Sequence, residues 1–411
     1  MPNTNDIDIV RELAKDTAEI AALPVQEETR HLWRNLNALK PTRPMAMMDQ
    51  VCWNELEITP ELQLRCETPA MRRLERMLRR QLYQWNNFRV DMVVEPFVRI
   101  PMAIHNTGFG LVVDEETAIT DPDNDVVAHR FHNQFETDDD LFKIQMPVIT
   151  FDALETRRRE EEARELFDGI LHVRMEGLDP YLSIWDPIST WMGVQPALMA
   201  LVDRPEFMHA LASRLTEGYI TLLDQVEALG LVCGPQSLIH CTGAWTDELP
   251  DAGSGNGTAT FKDRWMFGLA QMFSGASPRM FRDFEIQYTA KICERFGLVY
   301  YGCCDPLDGK MREVRMLPNV RKISMSPWVN VDLGAERIGK DYVYSRKPNP
   351  ALLAWDVMED DEILADLNHV KTACAKNGCP LEYILKDIST IRKDPTRLNR
   401  WADMVMQVCK E

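Results

Sequence analysis

The chain has 411 residues, and its 64 acidic and 46 basic side chains give a formal net charge of −18. This acidic balance argues against a protein that covers the phosphates of nucleic acids, because such surfaces are basic. With 45% apolar and 27% charged residues, the composition predicts a globular protein with a large core, and the length suits one α/β barrel.

The start of the chain, "MPNTNDIDIVRELAKDTAEI", is acidic and lacks the basic region followed by an apolar region that a secretory signal has. There is no run of about 18 apolar residues, so we expect no membrane span and no membrane partner. We therefore expect a cytoplasmic protein. Its ten cysteines would then be reduced, and most are expected to be small buried side chains.

Residues 1–40 have the apolar spacing of helices and predict a helical extension before a main domain at residues 41–411. Within that domain, residues 70–88 predict a long helix with a basic face, which we interpret as solvated or interfacial. The acidic stretch 105–145 predicts a long irregular excursion over one face. The glycine-rich stretch 251–261 predicts a flexible lid or substrate loop.

Short apolar runs bounded by turn residues predict eight strands, and helical patterns separate most of them. Eight strands interleaved with helices are typical of a (β/α)8 barrel. We therefore predict an α/β protein with a single TIM barrel and an N-terminal helical extension. The predicted strands lie at residues 44–48, 91–95, 170–174, 236–240, 298–302, 321–325, 341–345 and 382–387.

Polar side chains stand where nearly every predicted strand ends. In a barrel the carboxyl ends of all strands form one face, which carries the catalytic groups. His240 and Cys303 are candidate metal ligands there, and Glu95 is the candidate carboxylate at the mouth. Alternation along an extended strand predicts that Cys304 points away from Cys303 and packs. The full ring comprises Asp49, Glu95, Arg174, His240, Cys241, Cys303, Cys304, Asp305, Ser326, Arg346, Lys347, Lys386 and Asp387.

Each candidate has a structural alternative. His240 fits a hydrogen-bonded histidine at a strand end equally well, and Lys386 and Asp387 would simply pair with each other. Five tryptophans would wall an aromatic pocket, with core packing as the alternative for many of them: Trp185, Trp191, Trp245, Trp265 and Trp328.

A histidine nitrogen, a cysteine sulfur and a nearby carboxylate can hold zinc in a site with an open position. Bound zinc is a Lewis acid that polarises an atom whose bond is being broken. Without a metal, the same ring offers carboxylates and cations for proton transfer or decarboxylation. The residues alone leave both chemistries open.

Two stretches resemble the uroporphyrinogen decarboxylase superfamily: "SPRMFRDFEIQYTAKICERFGLVYYGCCDP" and "MLPNVRKISMSPWVNVDLGAERIGKDYVYSRKPNPALL". The resemblance covers residues 40–410 and is strongest over 265–395. It implies a single (β/α)8 barrel, often paired as a homodimer, in a superfamily that includes methylcobamide-dependent methyltransferases.

The chain departs from two branches of that superfamily. The first strand, "RPMAMMDQVCW", has no arginine after Arg43 to bind the carboxylates of a porphyrin, and the family's catalytic aspartate is matched by Glu95. The H-x-C zinc motif of the thiol-methylating branch reads Tyr301, Gly302, Cys303 here, and the late strand "LKDIST" lacks the companion cysteine. The remaining resemblance is to O-demethylase components.

That branch implies a methyltransferase that cleaves a methyl ether, such as a methoxyaromatic, or a related small-molecule methyl donor. The methyl group passes to cob(I)amide on a separate corrinoid protein, because the chain has no D-x-H-x-x-G segment for cobalamin. The alternative is a cofactor-free decarboxylase of a carboxylated small molecule, and a non-catalytic binding module comes third. The expected roles are zinc ligands His240 and Cys303; catalytic groups Glu95, Asp49 and Asp387; substrate contacts Trp185, Trp245, Tyr301 and Arg346; and, for the decarboxylase, carboxylate binders Arg346, Lys347 and Arg392.

Overall fold

The computed structural model describes residues 4–119, 127–250 and 259–411. Its strands are β1 (Met45–Met48), β2 (Phe97–Pro101), β3 (Ile104–Asn106), β4 (Glu115–Ala118), β5 (Ala128–Phe131), β6 (Ile149–Phe151), β7 (His172–Glu176), β8 (Leu238–Ile239), β9 (Thr242–Gly243), β10 (Trp265–Gly268), β11 (Leu298–Tyr301), β12 (Val320–Met325), β13 (Val343–Arg346) and β14 (Leu381–Leu385). Its α-helices are α1 (Thr4–Ala21), α2 (Pro24–Asn37), α3 (Trp53–Leu56), α4 (Pro69–Phe88), α5 (Ala153–Phe167), α6 (Trp185–Met192), α7 (Val194–Asp203), α8 (Pro205–Ala228), α9 (Pro278–Phe281), α10 (Gln287–Cys293), α11 (Met311–Val314), α12 (Val331–Ile338), α13 (Ala351–Ala354), α14 (Asp360–Asn377) and α15 (Thr396–Lys410).

A curled parallel sheet of six strands is the centre of the molecule, in the order β1-β14-β13-β12-β11-β10. Strands β10, β11, β13 and β14 are buried along their whole length, as expected for a parallel sheet covered by helices on its outside. A further parallel pair joins β2 to β7, with Phe97 opposite His172. This mixed α/β arrangement is compatible with an α/β barrel, and closure into eight strands stays a prediction.

The strands predicted in the second half of the chain are confirmed with small shifts of their ends as β11, β12, β13 and β14, and β1 and β7 are confirmed in the first half. The strand predicted at 91–95 is wrong, because a turn precedes it, with Met92 N donating to Arg89 O at 2.9 Å, and the ladder to β7 begins later, at Phe97. The strand predicted at 236–240 is reduced to β8, which pairs antiparallel with β9. Strand β10 was missed, since a four-residue apolar run has no periodicity to read.

Side chains cover both edges of the six-stranded sheet. At the β1 edge, Ala46 N donates to Asp91 Oδ2 at 2.8 Å, and Arg43 holds the same carboxylate with bonds of 2.6 and 3.0 Å. At the β10 edge, Trp265 N donates to Gln236 Oε1 at 2.8 Å. Covered edges cannot pair with another chain, so each edge is used to hold a connecting segment in place.

The N-terminal helices pack on the rest of the chain. Apolar residues of α1 share a core cluster with α4 and α5. From α2, Trp33 Nε1 donates to Asp91 O at 2.9 Å and Asn37 Nδ2 donates to Trp245 O at 2.7 Å. The division at residue 40 stays a prediction.

The excursion predicted over 105–145 contains the β4–β5 hairpin and one strand of the β3–β6 pair. Most of the predicted lid, residues 251–258, lies outside the described residues. None of the described helices combines the length and the apolar character needed to cross a bilayer.

Candidate active site

Five side chains converge where β8, β11 and β14 end, although they come from three distant parts of the sequence. Cys303 Sγ lies 3.5 Å from His240 Nε2, 3.1 Å from Lys386 Nζ and 3.7 Å from Cys304 Sγ. Cys304 Sγ in turn lies 3.5 Å from Asp387 Oδ2. The curl of the sheet brings these strand ends together, and we call the five residues the thiol cluster.

The turn after β11 presents both cysteines because Gly302 adopts a φ of 91°. A Cβ there would lie 2.5 Å from Leu307 Cδ1, so only glycine allows the chain to turn at this point. Cys303 is then held at both ends, since its N–H donates to Asp305 Oδ1 at 3.1 Å and its carbonyl accepts from Ser324 Oγ at 2.6 Å. The turn breaks the strand alternation, so Cys304 Sγ faces the cluster instead of packing away from it.

Three residues of the region have a left-handed backbone that side chains rarely adopt. The φ angles are 37° at His240, 67° at Cys241 and 56° at Asp387. Each such residue costs about 1–3 kcal/mol and persists only where its surroundings hold it in place. Strain of this kind concentrates at functional sites, which supports the thiol cluster as the candidate site.

The cluster lowers the pKa of Cys303 and so favours its thiolate form. A hydrogen bond from the Cys304 thiol lowers the pKa of Cys303, burial opposes this, and His240 and Lys386 lower it further. The pKa of Cys304 is raised by the same bond. Burial lowers the pKa of Lys386, but the Cys303 thiolate and Asp387 outweigh it and raise that pKa overall. The site therefore contains a thiolate beside an ammonium group.

His240 is a neutral imidazole at neutral pH. Burial lowers its pKa, and the bond to Cys303 only partly opposes this. Its ring stacks on Phe267 with the centroids 3.7 Å apart and the planes at 12°. The stacking fixes the ring so that Nε2 faces the Cys303 sulfur.

The donor atoms fit a zinc ion. Among the described residues, Cys303, Cys304 and Asp387 form a group whose ligand atoms all lie within 4.8 Å of one another. A tetrahedral zinc with Zn–S of about 2.3 Å and Zn–N or Zn–O of about 2.0–2.1 Å separates its ligands by about 3.5–3.8 Å. The Cys303–Cys304 and Cys304–Asp387 separations of 3.7 and 3.5 Å match these edges. The predicted ligand His240 lies 3.5 Å from Cys303 Sγ but is not a member of this group. Lys386 Nζ would compete for the same atoms, since it also lies 2.7 Å from Asp387 Oδ2.

Of the predicted catalytic carboxylates, Asp387 lies in the cluster and Asp49 lies beside it. The Asp49 N–H donates to Leu385 O at 3.0 Å, and burial together with Asp49 raises the pKa of the nearby Cys241. Glu95 is engaged elsewhere, accepting from Arg99 Nη2 at 3.0 Å and from the Ser237 hydroxyl.

The four predicted substrate contacts are all buried and have partners within the protein. Trp185 packs edge-on against Phe273 at 4.9 Å, and Trp245 lies 6.5 Å from Trp33. The Tyr301 hydroxyl donates to Glu285 Oε1 at 2.9 Å, and Arg346 donates to Ser326 O and Asp366 Oδ1, both at 2.8 Å. A substrate role stays a prediction for Trp185, Trp245, Tyr301 and Arg346.

Sequence reasoning undervalued three residues of this region. The sequence predicts that Lys386 pairs only with Asp387, that the Cys304 side chain points away from Cys303, and that Lys347 binds a carboxylate at the barrel mouth. Lys347 instead lies buried, with its Nζ donating to the Tyr300 hydroxyl and to Ser345 Oγ, and burial lowers its pKa to about 8. The signal for Lys386 was present in its position directly after an apolar strand.

No protein-family model and no curated protein matches the sequence. Among solved structures, the chain is similar to a methyltransferase from Methanosarcina mazei, with a TM-score of 0.52 at 13% sequence identity. The likeness covers 93% of this chain and 98% of the other. At this identity it establishes a shared fold along nearly the whole chain.

Proposed function

We propose that this chain is a methyltransferase that cleaves a methyl ether, such as a methoxyaromatic, and passes the methyl group to cob(I)amide on a separate corrinoid protein. The observation that carries the proposal is the thiol cluster, in which a thiolate, a thiol, a neutral imidazole and a carboxylate face one another at the strand ends. The fold shared with a protein named as a methyltransferase supports the type of reaction.

In this proposal Cys303 and His240 hold zinc, with Cys304 and Asp387 as the further donors. Zinc bound there supplies a Lewis acid that polarises the ether oxygen. Cys303 is suited to this as a thiolate, since the thiolate is the form that binds metals. His240 is suited as an imidazole whose pKa is lowered by burial, because the neutral imidazole is the form that binds metals.

The remaining groups act on the charge that the leaving oxygen acquires. Loss of a methyl group without its bonding electrons leaves the electron pair on that oxygen. An ammonium group fixed at the site stabilises such developing charge without reorganisation, and Lys386 lies 3.1 Å from Cys303 Sγ. Asp387, half-exposed beside it, lies 2.7 Å from the Lys386 ammonium and holds it in place.

Metal analysis and a methyl-transfer assay test this proposal together. We expect about one zinc per chain, and methylation of a reduced corrinoid protein from para-methoxybenzoate. Cys303→Ala should lose both zinc and activity, whereas Cys409→Ala, at a buried cysteine of α15 outside the cluster, should keep both. Full activity in zinc-free protein would remove the metal from the proposal.

A metal-free decarboxylase is the second candidate, and Lys347 favours it. A buried lysine whose pKa is lowered to about 8 by burial can give up a proton near neutral pH, as protonation of the carbanion left by CO2 loss requires. Release of CO2 from a carboxylated aromatic by chelated protein, without methyl transfer, would select this function instead.

A further inference from the structure

A cleft beside the thiol cluster has the opposite charge from the chain as a whole. Its cavity of about 620 Å³ lies between α4 and the ends of β1 and β2. The charged residues that line it, within the described part of the chain, are four arginines and one aspartate: Arg73, Arg76, Arg80, Arg99 and Asp49. In a protein of net charge −18, such an excess of guanidinium groups in one cavity requires an explanation.

Three of these arginines form one wall. Arg73, Arg76 and Arg80 follow one another at spacings of three and four residues along α4, so they share one face of that helix. Met71, on the opposite face, is buried. The amphipathic pattern that packs α4 therefore also places Arg73, Arg76 and Arg80 on the side of the cleft.

The wall has fewer carboxylates than arginines. One oxygen of Glu57 lies 2.5 Å from Arg80 Nη2 and 3.7 Å from Arg76 Nε, so a single carboxylate serves both side chains. Among the described residues Arg73 makes no ion pair, and Arg80 Nε is buried without a hydrogen-bond partner. Arg99, across the cleft, is held by Glu95 at 3.0 Å and by Glu176 at 3.4 Å. The unneutralised charge therefore lies on α4.

The rest of the lining is apolar and leads toward the thiol cluster. Methionines of β1 and the rings of Trp53 and Phe97 line the cavity, and Arg80 lies over the Trp53 ring at 4.9 Å. Asp49 also lines the cavity, and its N–H donates to Leu385 O at 3.0 Å. Leu385 directly precedes Lys386, so a molecule anchored on the arginines extends toward the cluster.

We infer that this cleft binds an organic anion, with its carboxylate or phosphate on Arg73 and Arg76 and an aromatic body against the methionines and Trp53. Planar guanidinium groups match the oxygens of either anion with paired hydrogen bonds. This inference names an aromatic anion as the substrate class, and it rests on the proposed function for the identity of the reacting methyl group. Binding of the anion itself does not depend on methyl transfer.

Calorimetric titration of the whole chain with benzoate, phenyl phosphate and neutral anisole tests the cleft. We expect benzoate to bind measurably tighter than anisole, and its affinity to fall as salt is added. Phenyl phosphate binding more tightly than benzoate would assign the anion as a phosphate, and the reverse order as a carboxylate. Anisole binding as tightly as both anions would overturn the inference.

Paired arginine variants locate the anion. The double variant R73Q/R76Q should weaken benzoate binding at least about tenfold, the loss expected for charge-assisted hydrogen bonds. The variant R73K/R76K, which keeps both charges but loses the planar guanidinium groups, should bind benzoate between the parent and R73Q/R76Q, and it shows that the helix is intact. Arg157→Gln, at an exposed arginine of α5 away from the cleft, is the matched control. Unchanged affinity in R73Q/R76Q would overturn the inference.

The two proposals fail separately. Benzoate has no methyl group, so its binding reports on the cleft alone. Binding of para-methoxybenzoate through Arg73 and Arg76 without methyl transfer would sustain the cleft and reject the methyltransferase. Methyl transfer at an unchanged rate in R73Q/R76Q would sustain the methyltransferase and reject the cleft as its substrate site.

Discussion

Two lysines of the same sheet lie in opposite environments. Lys322, in β12, is fully buried and donates to Glu382 at 2.7 Å, to Gly243 O at 3.0 Å and to Thr242 Oγ1 at 3.1 Å. Lys386, one residue beyond β14, contacts the Cys303 sulfur and an Asp387 carboxylate whose side chain is 47% exposed. Inside the sheet, three fixed oxygens surround the ammonium; at the strand ends, its partners are a thiolate and a solvated group.

The difference in partners suggests a structural role for the Lys322 ammonium and a functional role for the Lys386 ammonium. An ammonium with three fixed acceptors is tied into the sheet, and its role is to satisfy Glu382. An ammonium held against a polarisable sulfur and a solvated carboxylate can exchange those partners for a substrate or an ion. The following changes test the comparison from the largest expected effect to the smallest.

Removing the interior cation should cost the most. Lys322→Met leaves the Glu382 carboxylate buried without its partner, and we expect a loss of about 3–5 kcal/mol in the free energy of unfolding. Chemical denaturation measures it. The double variant Lys322→Met/Glu382→Leu removes both charges and should recover most of the loss. Equal destabilisation by the single and double variants would show that the pair is not coupled.

An interior acid without a cation should behave differently from Glu382. Burial raises the pKa of Glu285 from 4.5 to about 7, so the native state retains a proton that the unfolded chain releases. Stability therefore falls as the pH rises from 4.5 to 7, and the full penalty applies above that range. Glu285→Gln, which stays neutral, should be more stable than the parent at pH 8 by up to about 3 kcal/mol.

The gain from Glu285→Gln should vanish below the unfolded pKa of 4.5, as unfolding experiments across the pH range would show. The partly exposed Asp283, on the same π-helical segment, provides the control. Asp283→Asn should change stability by less than about 1 kcal/mol at every pH, because surface ion pairs contribute little. A gain for Glu285→Gln that is as large at pH 4 as at pH 8 would contradict the prediction.

The functional cation should act mainly on the thiolate. Lys386 lowers the pKa of Cys303, after the larger effects of Cys304 and His240, so Lys386→Met should raise that pKa by about one unit, or 1.4 kcal/mol. Ultraviolet absorbance of the thiolate in chelated protein, followed against pH, measures the shift. Cys303→Ser should abolish the transition. If Lys386→Met left the pH midpoint of the thiolate absorbance unchanged, the Lys386 ammonium would have no effect on the pKa of Cys303.

Much of the second half of the fold could be predicted from the sequence. The runs that form β11 to β14 are rich in apolar and aromatic residues and mostly buried, as burial on both faces of a parallel sheet favours. The same rule failed for β10, whose four residues are too few to show a pattern, and for residues 91–95, where the Asp91 carboxylate replaces a strand partner of β1. A side chain that takes the place of a neighbouring strand in hydrogen bonding leaves no periodic pattern in the sequence.

The candidate site divides in the same way. Sequence position alone placed Cys303, Lys386 and Asp387 after apolar strands, and it supplied His240 as a nearby nitrogen donor. It could not predict that Cys304 joins them, because the left-handed φ of Gly302 reverses the alternation expected of a strand. Sequence position also could not predict the arginine cleft. The first strand has no arginine after Arg43, and the arginines that line the cleft wall come from α4.

The sequence by itself determined the kinds of groups available: apolar strands that must lie in a covered parallel sheet, and polar residues directly after them. These follow from local patterns of burial and from chain direction. The tertiary structure alone decided which groups meet, because the curl of the sheet and the packing of α4 set distances between residues far apart in the chain. The contact between Cys303 and Lys386 and the position of Arg73 at the cleft both depend on tertiary packing.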